Sequence, residues 1–198
     1  GFDTWEEWDI LSFYLKKGYK IDQVVLIYCL NDISDLLPGR AENLSRINKQ
    51  IAERSWLQKN SFFIDTLYHR FQSRKDPFIK NYYGFVRDGY TGDVWEKQKQ
   101  RLKDFCNLVH TNGGEVTVVT FPFLHALGDH YEYQFVHDQL DKYWKENNVS
   151  HLDLIETMKP YQPKSLVVNS LDPHPNEFAH QLAARSIENV LLKQTKQH

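Results

Sequence analysis

Several residue types that mark particular classes of protein are scarce in this 198-residue chain. It has two cysteines, Cys29 and Cys106, both in apolar surroundings, so we expect core thiols and neither a disulfide framework nor a CxxC metal pair. No apolar run approaches the roughly 18–20 residues that cross a bilayer, so no membrane span is expected. The single methionine is Met158, and we therefore expect that residue 1 is not the start of translation.

An excess of charge of one sign is also missing. The 24 Lys+Arg and 26 Asp+Glu give a formal net charge of −2, and the only compact basic segment, residues 70–75, is followed by Asp76. A nucleic acid is therefore not an expected partner. Apolar residues are abundant, at 41% of the chain with 12 Phe, 5 Trp and 11 Tyr. This composition excludes disorder and, at this length, favours one domain over residues 1–198, while the cellular compartment stays open.

Hydrophobic periodicity and helix caps predict alternating helices and strands. Thr4 and Glu7 form a potential capping box, and Gly18 suits a helix end, which together predict a helix over residues 4–17. Continuous apolar runs predict strands buried on both faces at Gln23–Leu30 and Glu115–Phe121, with a shorter strand at His151–Leu154. Further helices are predicted at about 93–111, at Tyr131–Glu146, and after an Asn176 cap.

Residues 31–92 interrupt this alternation with an irregular pattern. Amphipathic stretches near 41–54 and 61–73 predict a helical and loop insertion at about 35–92. The rest of the chain predicts an α/β fold with a parallel sheet. Three strands leave the Gln23–Leu30 strand with an unpaired edge, so we expect a missing upstream segment to supply further strands.

Polar residues follow the apolar runs at three places, where open α/β sheets bind ligands. Asn31-Asp32 follows the first strand, Pro122–His125 follows the second, and Asp172–Asn176 precedes the last helix. The Asn31 amide could donate to an oxyanion, and Asp172 could orient His174 as a general base. Both segments are equally compatible with ordinary turn or capping chemistry.

Taken together, these pieces resemble the SGNH (GDSL-like) hydrolase family. Gly1-Phe2-Asp3-Thr4 looks like the end of its glycine block, Tyr28–Asp32 resembles Gly-x-Asn-Asp with Cys29 at the glycine, and Asp172–Asn176 resembles Asp-x-x-His-Pro-Asn. The Asp-to-His spacing is two residues instead of the commoner three. The Gly-Asp-Ser block with the nucleophilic serine has no counterpart in this chain.

The resemblance implies a three-layer αβα, flavodoxin-like sheet whose N-terminal strands are missing here. It also implies a serine esterase or lipase-like hydrolase that acts through an acyl-enzyme on a small ester or an acetylated carbohydrate, without cofactor or metal. His174, Asp172, Asn31 and Gly1 are the implied catalytic residues. The exposed sheet edge would pair with the missing segment or with another chain. Two alternatives stay open, a carbohydrate O-acetyltransferase and a non-catalytic binding domain.

Other side chains have less specific interpretations. His180 is expected to pack or cap, and the spacing of His125, His130 and His137 fits no metal-ligand template. The helical spacing of Trp5 and Trp8 predicts that both belong to the core. A cluster of aromatic residues could line a pocket or anchor its own loop: Tyr82, Tyr83, Phe85 and Tyr90.

Overall fold

The computed structural model describes residues 2–73, 76–170 and 172–195. The strands are β1 (Gln23–Cys29), β2 (Glu115–Phe121), β3 (Ser150–Asp153), β4 (Val167–Asn169) and β5 (Asp172–Pro175). The helices are α1 (Thr4–Lys16), α2 (Arg40–Ala52), α3 (Trp56–Asn60), α4 (Phe62–Ser73), α5 (Pro77–Lys80), α6 (Tyr82–Gly89), α7 (Gly92–Thr111), α8 (Gln134–Glu146), α9 (Ile155–Met158), α10 (Pro163–Leu166) and α11 (Glu177–Thr195). Two 3₁₀ segments lie at Leu30–Leu36 and Leu124–Ala126. Within these ranges no helix is long and apolar enough to cross a membrane.

The main sheet has three parallel strands in the order β1-β2-β3, which confirms the predicted α/β class. Gln23 aligns with Glu115, and Cys29 with Phe121, so β1 and β2 pair along their full length. The central strand β2 is buried after its first residue. The prediction that β1 is buried on both faces is wrong, because Gln23 is exposed and Ile27 keeps 37% of its surface. β1 lies at the edge of the sheet, where only one neighbouring strand covers it.

Helix α1 begins as predicted, but its capping box is shifted by one residue. The Asp3 carboxylate, not Thr4, accepts hydrogen bonds from the backbone N–H groups of Trp5 and Glu6, at 3.0 and 3.1 Å. The Glu6 carboxylate in turn accepts a hydrogen bond from the Asp3 backbone N–H at 3.1 Å. Thr4 instead begins the helix with its side chain fully buried. Gly18 has a φ of 85°, which confirms the left-handed residue predicted after the helix.

Helix α11 runs along the sheet from its carboxyl edge to its amino edge. Near its start, the His180 ring lies 6.5 Å from that of Phe121, at the end of β2. Near its end, the Gln194 side chain contacts Gln23 at 3.0 Å, Thr117 at 3.3 Å and Ser150 at 2.7 Å, which are early residues of all three strands. The helix contributes Ala179 and Ala183 to a hydrophobic cluster that also includes Val119, Leu154, Met158 and Leu166.

The chain divides into two compact units. One comprises the described residues up to Asp32 and those from Arg101 onward, and the other is Ile33–Gln100. The second unit contains α2–α6, of which α2 and α4 coincide with the two amphipathic stretches near 41–54 and 61–73. Its internal contacts include a buried Asp76 that accepts from Asn43 at 3.1 Å and pairs with Arg46.

Candidate active site

The predicted histidine motif lies on a small antiparallel hairpin formed by β4 and β5. The sequence is compatible with a turn or a capping segment at Asp172–Asn176 before the last helix, but Asp172–Pro175 is strand β5. Asn169 pairs with Asp172, and its side-chain oxygen accepts the Asp172 N–H at 3.0 Å. Val167 pairs with Pro175 at the other end. A strand of four residues with two prolines gives almost no sequence signal, which explains why the hairpin was missed.

Asp172 and His174 form a direct hydrogen-bonded pair within this hairpin. Asp172 Oδ1 lies 2.5 Å from His174 Nδ1 and also accepts the His174 backbone N–H at 3.1 Å. The spacing of two residues therefore suffices for the contact. These hydrogen bonds, the one from the ring first, hold the pKa of Asp172 below its ordinary value. With Nδ1 engaged by the carboxylate, Nε2 is the ring nitrogen that can accept a proton.

The pair is accessible as well as oriented. The His174 side chain is 80% exposed and that of Asp172 is 45% exposed. An exposed imidazole with one nitrogen fixed by a carboxylate can meet a substrate or a nucleophile that approaches from outside. It therefore has the accessibility and orientation that a general base requires.

Asn176 fixes the hairpin to the start of α11. Its side-chain oxygen accepts the Ala179 N–H at 3.0 Å, as the predicted helix cap requires. Its side-chain nitrogen donates to the carbonyls of Ser165 and Val167 at 2.9 and 3.2 Å, and its backbone N–H donates to Leu166 at 2.9 Å. One asparagine thus joins α10, β4 and α11 two residues after His174.

Asn31 and Asp32 lie in the 3₁₀ segment that follows β1, and they have different environments. The Asp32 carboxylate is buried and accepts the Cys29 N–H at 2.8 Å, which closes the turn after the strand. Burial, followed by repulsion from Glu7, raises the pKa of Asp32 well above its ordinary value. Asn31 is half-buried. The turn chemistry of this dipeptide is therefore carried by the aspartate and does not require the Asn31 amide.

The segment that contains Asn31 and the β4–β5 hairpin both lie at the carboxyl edge of the sheet. Cys29, two residues before Asn31, aligns with Phe121. Strand β5 contacts the 3₁₀ segment Leu124–Ala126 that follows β2. The structure thus brings Asp172 and His174 into contact and places Asn31 and the hairpin at the same edge of the sheet. Gly1, the fourth predicted site residue, lies outside the described residues.

A second aspartate–histidine pair, which sequence reasoning did not find, lies inside the same unit. His137 Nδ1 contacts Asp153 Oδ1 and Oδ2 at 2.9 and 2.8 Å, and its Nε2 contacts the Tyr131 hydroxyl at 3.0 Å. That hydroxyl in turn accepts the Phe123 N–H at 3.1 Å. The signal in the sequence was a histidine among the apolar residues of α8, where burial demands hydrogen-bond partners.

Among the residues that the structure describes, no group of three His, Cys, Asp or Glu side chains could hold a metal ion. Tyr90 is buried against Trp95, with ring centroids 5.4 Å apart, so this member of the tyrosine cluster anchors its own loop. Cys106 is buried and Cys29 packs against the hydrophobic cluster, and both are free thiols.

The prediction that Trp5 belongs to the core is wrong. Trp5 is 54% exposed and stacks on Trp8, with ring centroids 5.1 Å apart and an interplanar angle of 14°. Both rings line a groove of about 360 Å³ between α1 and α7, together with Arg101, Asp104 and Asn107. Asn31, Asp172 and His174, the predicted site residues that the structure describes, do not line this groove.

No protein-family model, curated protein or solved structure matches this chain. The support for a function therefore comes from the geometry of the site, the chemistry of its residues and the order of the sequence segments.

Proposed function

We propose that this chain carries the histidine, aspartate and asparagine of an SGNH-type ester hydrolase. The observation that supports this best is the contact between Asp172 and His174, since it leaves an exposed, oriented imidazole near the carboxyl edge of a parallel sheet. Ligands bind at this edge in open α/β folds. The order of the glycine-like, Asn-Asp and His-Pro-Asn segments adds to this support.

The proposed reaction is acyl transfer in two steps. His174 Nε2 removes the proton of a serine hydroxyl supplied upstream of this chain, and the serine oxygen attacks the ester carbonyl carbon. The tetrahedral intermediate collapses when the protonated His174 gives its proton to the leaving alcohol. Water, activated by the same nitrogen, then releases the acid and restores the serine. Asp172 holds the ring and stabilises the imidazolium form.

Asn31 and Gly1 take the role of oxyanion donors in this proposal. The negative charge on the carbonyl oxygen would accept hydrogen bonds from the Asn31 side-chain amide and the Gly1 backbone N–H. Asn31 is available for this role because the neighbouring Asp32 already closes the turn with the Cys29 N–H.

The finer fold is part of the same proposal. We propose a three-layer, flavodoxin-like arrangement in which further strands, from an upstream segment or from another chain, pair with the open edge of β1. In support, β1 pairs with β2 alone among the described strands, and Ile27 is partly exposed. Helix α1 also exposes Trp5, Ile10 and Phe13, which added strands would cover.

The substrate is a small ester or an acetylated carbohydrate. The same residues could transfer the acetyl group to a sugar hydroxyl, because that hydroxyl competes with water for the acyl-enzyme. Release of free acetate without a sugar acceptor would favour the hydrolase, and acetyl transfer that needs the acceptor would favour the O-acetyltransferase. A fold without a nucleophile would instead leave a binding domain.

The test is labelling of the full open-reading-frame product with a fluorophosphonate, followed by peptide mapping. We expect one adduct, on a serine upstream of Gly1, that is lost in His174→Ala. His180→Ala is the matched control, since His180 is also exposed and lies on the first turns of α11. Labelling that survives His174→Ala, or no adduct on well-folded protein, would refute the hydrolase and favour the binding domain.

A further inference from the structure

The unit formed by Ile33–Gln100 exposes a group of large apolar side chains on α3 and α4. Trp56, Phe62 and Phe63 are 73%, 89% and 70% exposed, and Leu57 and Leu67 are about half exposed. We call these five residues the aromatic face. Side chains of this size are seldom so exposed in a group, and such groups mark interaction surfaces.

The opposite side of α4 is polar. Asp65 Oδ1 lies 3.3 Å from Arg54 Nε and 3.4 Å from His69 Nε2, and Arg54 also contacts His69 at 3.3 Å. Two residues correspond to about 200° around a helix, so Asp65 points away from Phe63 and Leu67, whereas Phe62, three residues before Asp65, lies about 60° from it. α4 therefore directs Asp65 toward Arg54 and directs Phe63 and Leu67 outward, with Phe62 at the border between the two sides. This is the reverse of the pattern in a helix that packs on a hydrophobic core.

The segment that carries the aromatic face is also positively charged. The described residues 54–73 contain Arg54, Lys59 and Arg70 against Asp65, so 3 − 1 = +2, whereas the whole chain carries −2. Lys59 and Arg70, which belong to α3 and α4, are exposed. A second copy of this surface would bring like charges together, whereas an anionic surface would neutralise them.

We propose that the aromatic face binds the interface of a membrane that contains anionic lipids. Trp and Phe side chains would enter the boundary between headgroups and acyl chains, and Lys59 and Arg70 would stay among the lipid phosphates. Tryptophan and phenylalanine are typical of such interfacial helices, and basic residues beside them add electrostatic attraction. The two helices would lie in the plane of the membrane surface.

This proposal is independent of the proposed ester hydrolysis. It uses none of the residues Asn31, Asp172 and His174, and its readout is binding, not turnover. A protein that binds vesicles without labelling by a fluorophosphonate would retain the lipid surface and lose the esterase. A protein that is labelled by a fluorophosphonate without binding vesicles would retain the esterase and lose the lipid surface.

The test is flotation of the 198-residue chain with vesicles, since bound protein rises with the lipid and aggregated protein does not. The anionic vesicles would contain phosphatidylcholine and phosphatidylglycerol at roughly 7:3, and vesicles of pure phosphatidylcholine would serve for comparison. We expect binding to the anionic vesicles that weakens when NaCl rises from about 0.1 to about 0.5 M. Phe62→Ser/Phe63→Ser should lower the affinity by about tenfold or more.

Two further variants make the test specific. Phe135→Ser changes an exposed phenylalanine on α8 in the other unit and should leave binding unchanged. Lys59→Glu/Arg70→Glu should weaken binding to the anionic vesicles while circular dichroism stays the same. The proposal fails if folded wild-type protein does not float, or if Phe62→Ser/Phe63→Ser floats equally well. A dimer that forms without lipid and is lost in Phe62→Ser/Phe63→Ser, with no flotation, would identify a second copy as the partner instead.

Discussion

Two aspartate–histidine pairs of one unit have similar geometry and opposite surroundings. Asp172 contacts Nδ1 of His174 at 2.5 Å, and Asp153 contacts Nδ1 of His137 at 2.8 Å. The His174 side chain is 80% exposed, whereas that of His137 is 1% exposed and its second nitrogen contacts Tyr131. The contact alone therefore does not identify a catalytic pair. The two pairs differ in the surroundings of the second ring nitrogen, which His174, but not His137, can present to a reactant.

The largest effect should follow removal of the exposed imidazole. We expect His174→Ala, in protein that includes the nucleophile segment, to lower kcat by a factor on the order of 10³–10⁴ or more. Its free energy of unfolding should change by less than about 0.5 kcal/mol, because the side chain is exposed. Steady-state kinetics with a chromogenic acetate ester and urea unfolding measure the two quantities. A large loss of stability with intact turnover would reverse the assignment of the two pairs.

Asn31 tests whether the exposed pair works with an oxyanion donor. We expect Asn31→Ala in the intact protein to lower kcat about 100-fold or more, since loss of one such donor costs about 2.7–4 kcal/mol of transition-state stabilisation. KM should change little, because the hydrogen bond forms mainly in the transition state. Near-normal turnover would remove Asn31 from the site and leave it a turn residue.

Removal of the buried pair should lower the stability of the protein without a direct effect on the catalytic chemistry. We expect His137→Ala to lower the free energy of unfolding by about 2–3 kcal/mol, because it leaves Asp153 and Tyr131 short of a partner in a closed environment. Urea denaturation measures this loss. Tyr131→Phe removes only the hydroxyl contact and should lose less. If both variants unfold like the wild type, the network does not stabilise the protein.

Glu7 extends the comparison to a partly buried acid without a histidine. Its Oε2 is buried with no hydrogen-bond partner among the described residues, and burial first, then repulsion from Asp3, raises its pKa to about 7. The folded protein therefore holds a proton that the unfolded chain releases near its ordinary pKa, so stability falls as pH rises from about 4.5 to about 7. Allowing for solvent screening, the loss is on the order of 1–2 kcal/mol.

The matched variant for this pH effect is Glu7→Gln. It should be more stable than the wild type at pH 8 and should lose part of the slope of stability against pH between about 5 and 7. Thermal unfolding across this range measures both. An unchanged slope would assign the pH dependence to other groups, of which the buried Asp32 is the first to test with Asp32→Asn.

The sequence predicted the elements with strong periodicity and missed those that depend on long-range contacts. β2 and α7 were predicted to within a residue, because a continuous apolar run and an amphipathic helix carry their own signal. The edge position of β1 was foreseen from the number of strands, but its exposure was not, since Ile27 looks like any core residue in a run of apolar letters.

The candidate site was predicted only in part for the same reason. Asp172 and His174 are two residues apart, so their contact is local and could be anticipated from the sequence. His137 and Asp153 are sixteen positions apart and meet only when α8 packs beside β3, which spacing does not reveal. Trp5 shows a second limit of sequence-based prediction: helical spacing identifies residues on one face of a helix, but it does not show whether that face is buried.

The contacts of Asn176 bear on the order in which the protein folds. They join residues that lie at most eleven positions apart in the chain, so β4, β5 and the first turn of α11 can assemble without waiting for the parallel strands to meet. We expect the amide of Ala179 to become protected early in pulsed hydrogen exchange, before those of β1. The support of His174 would then exist before the sheet beside which it works is complete.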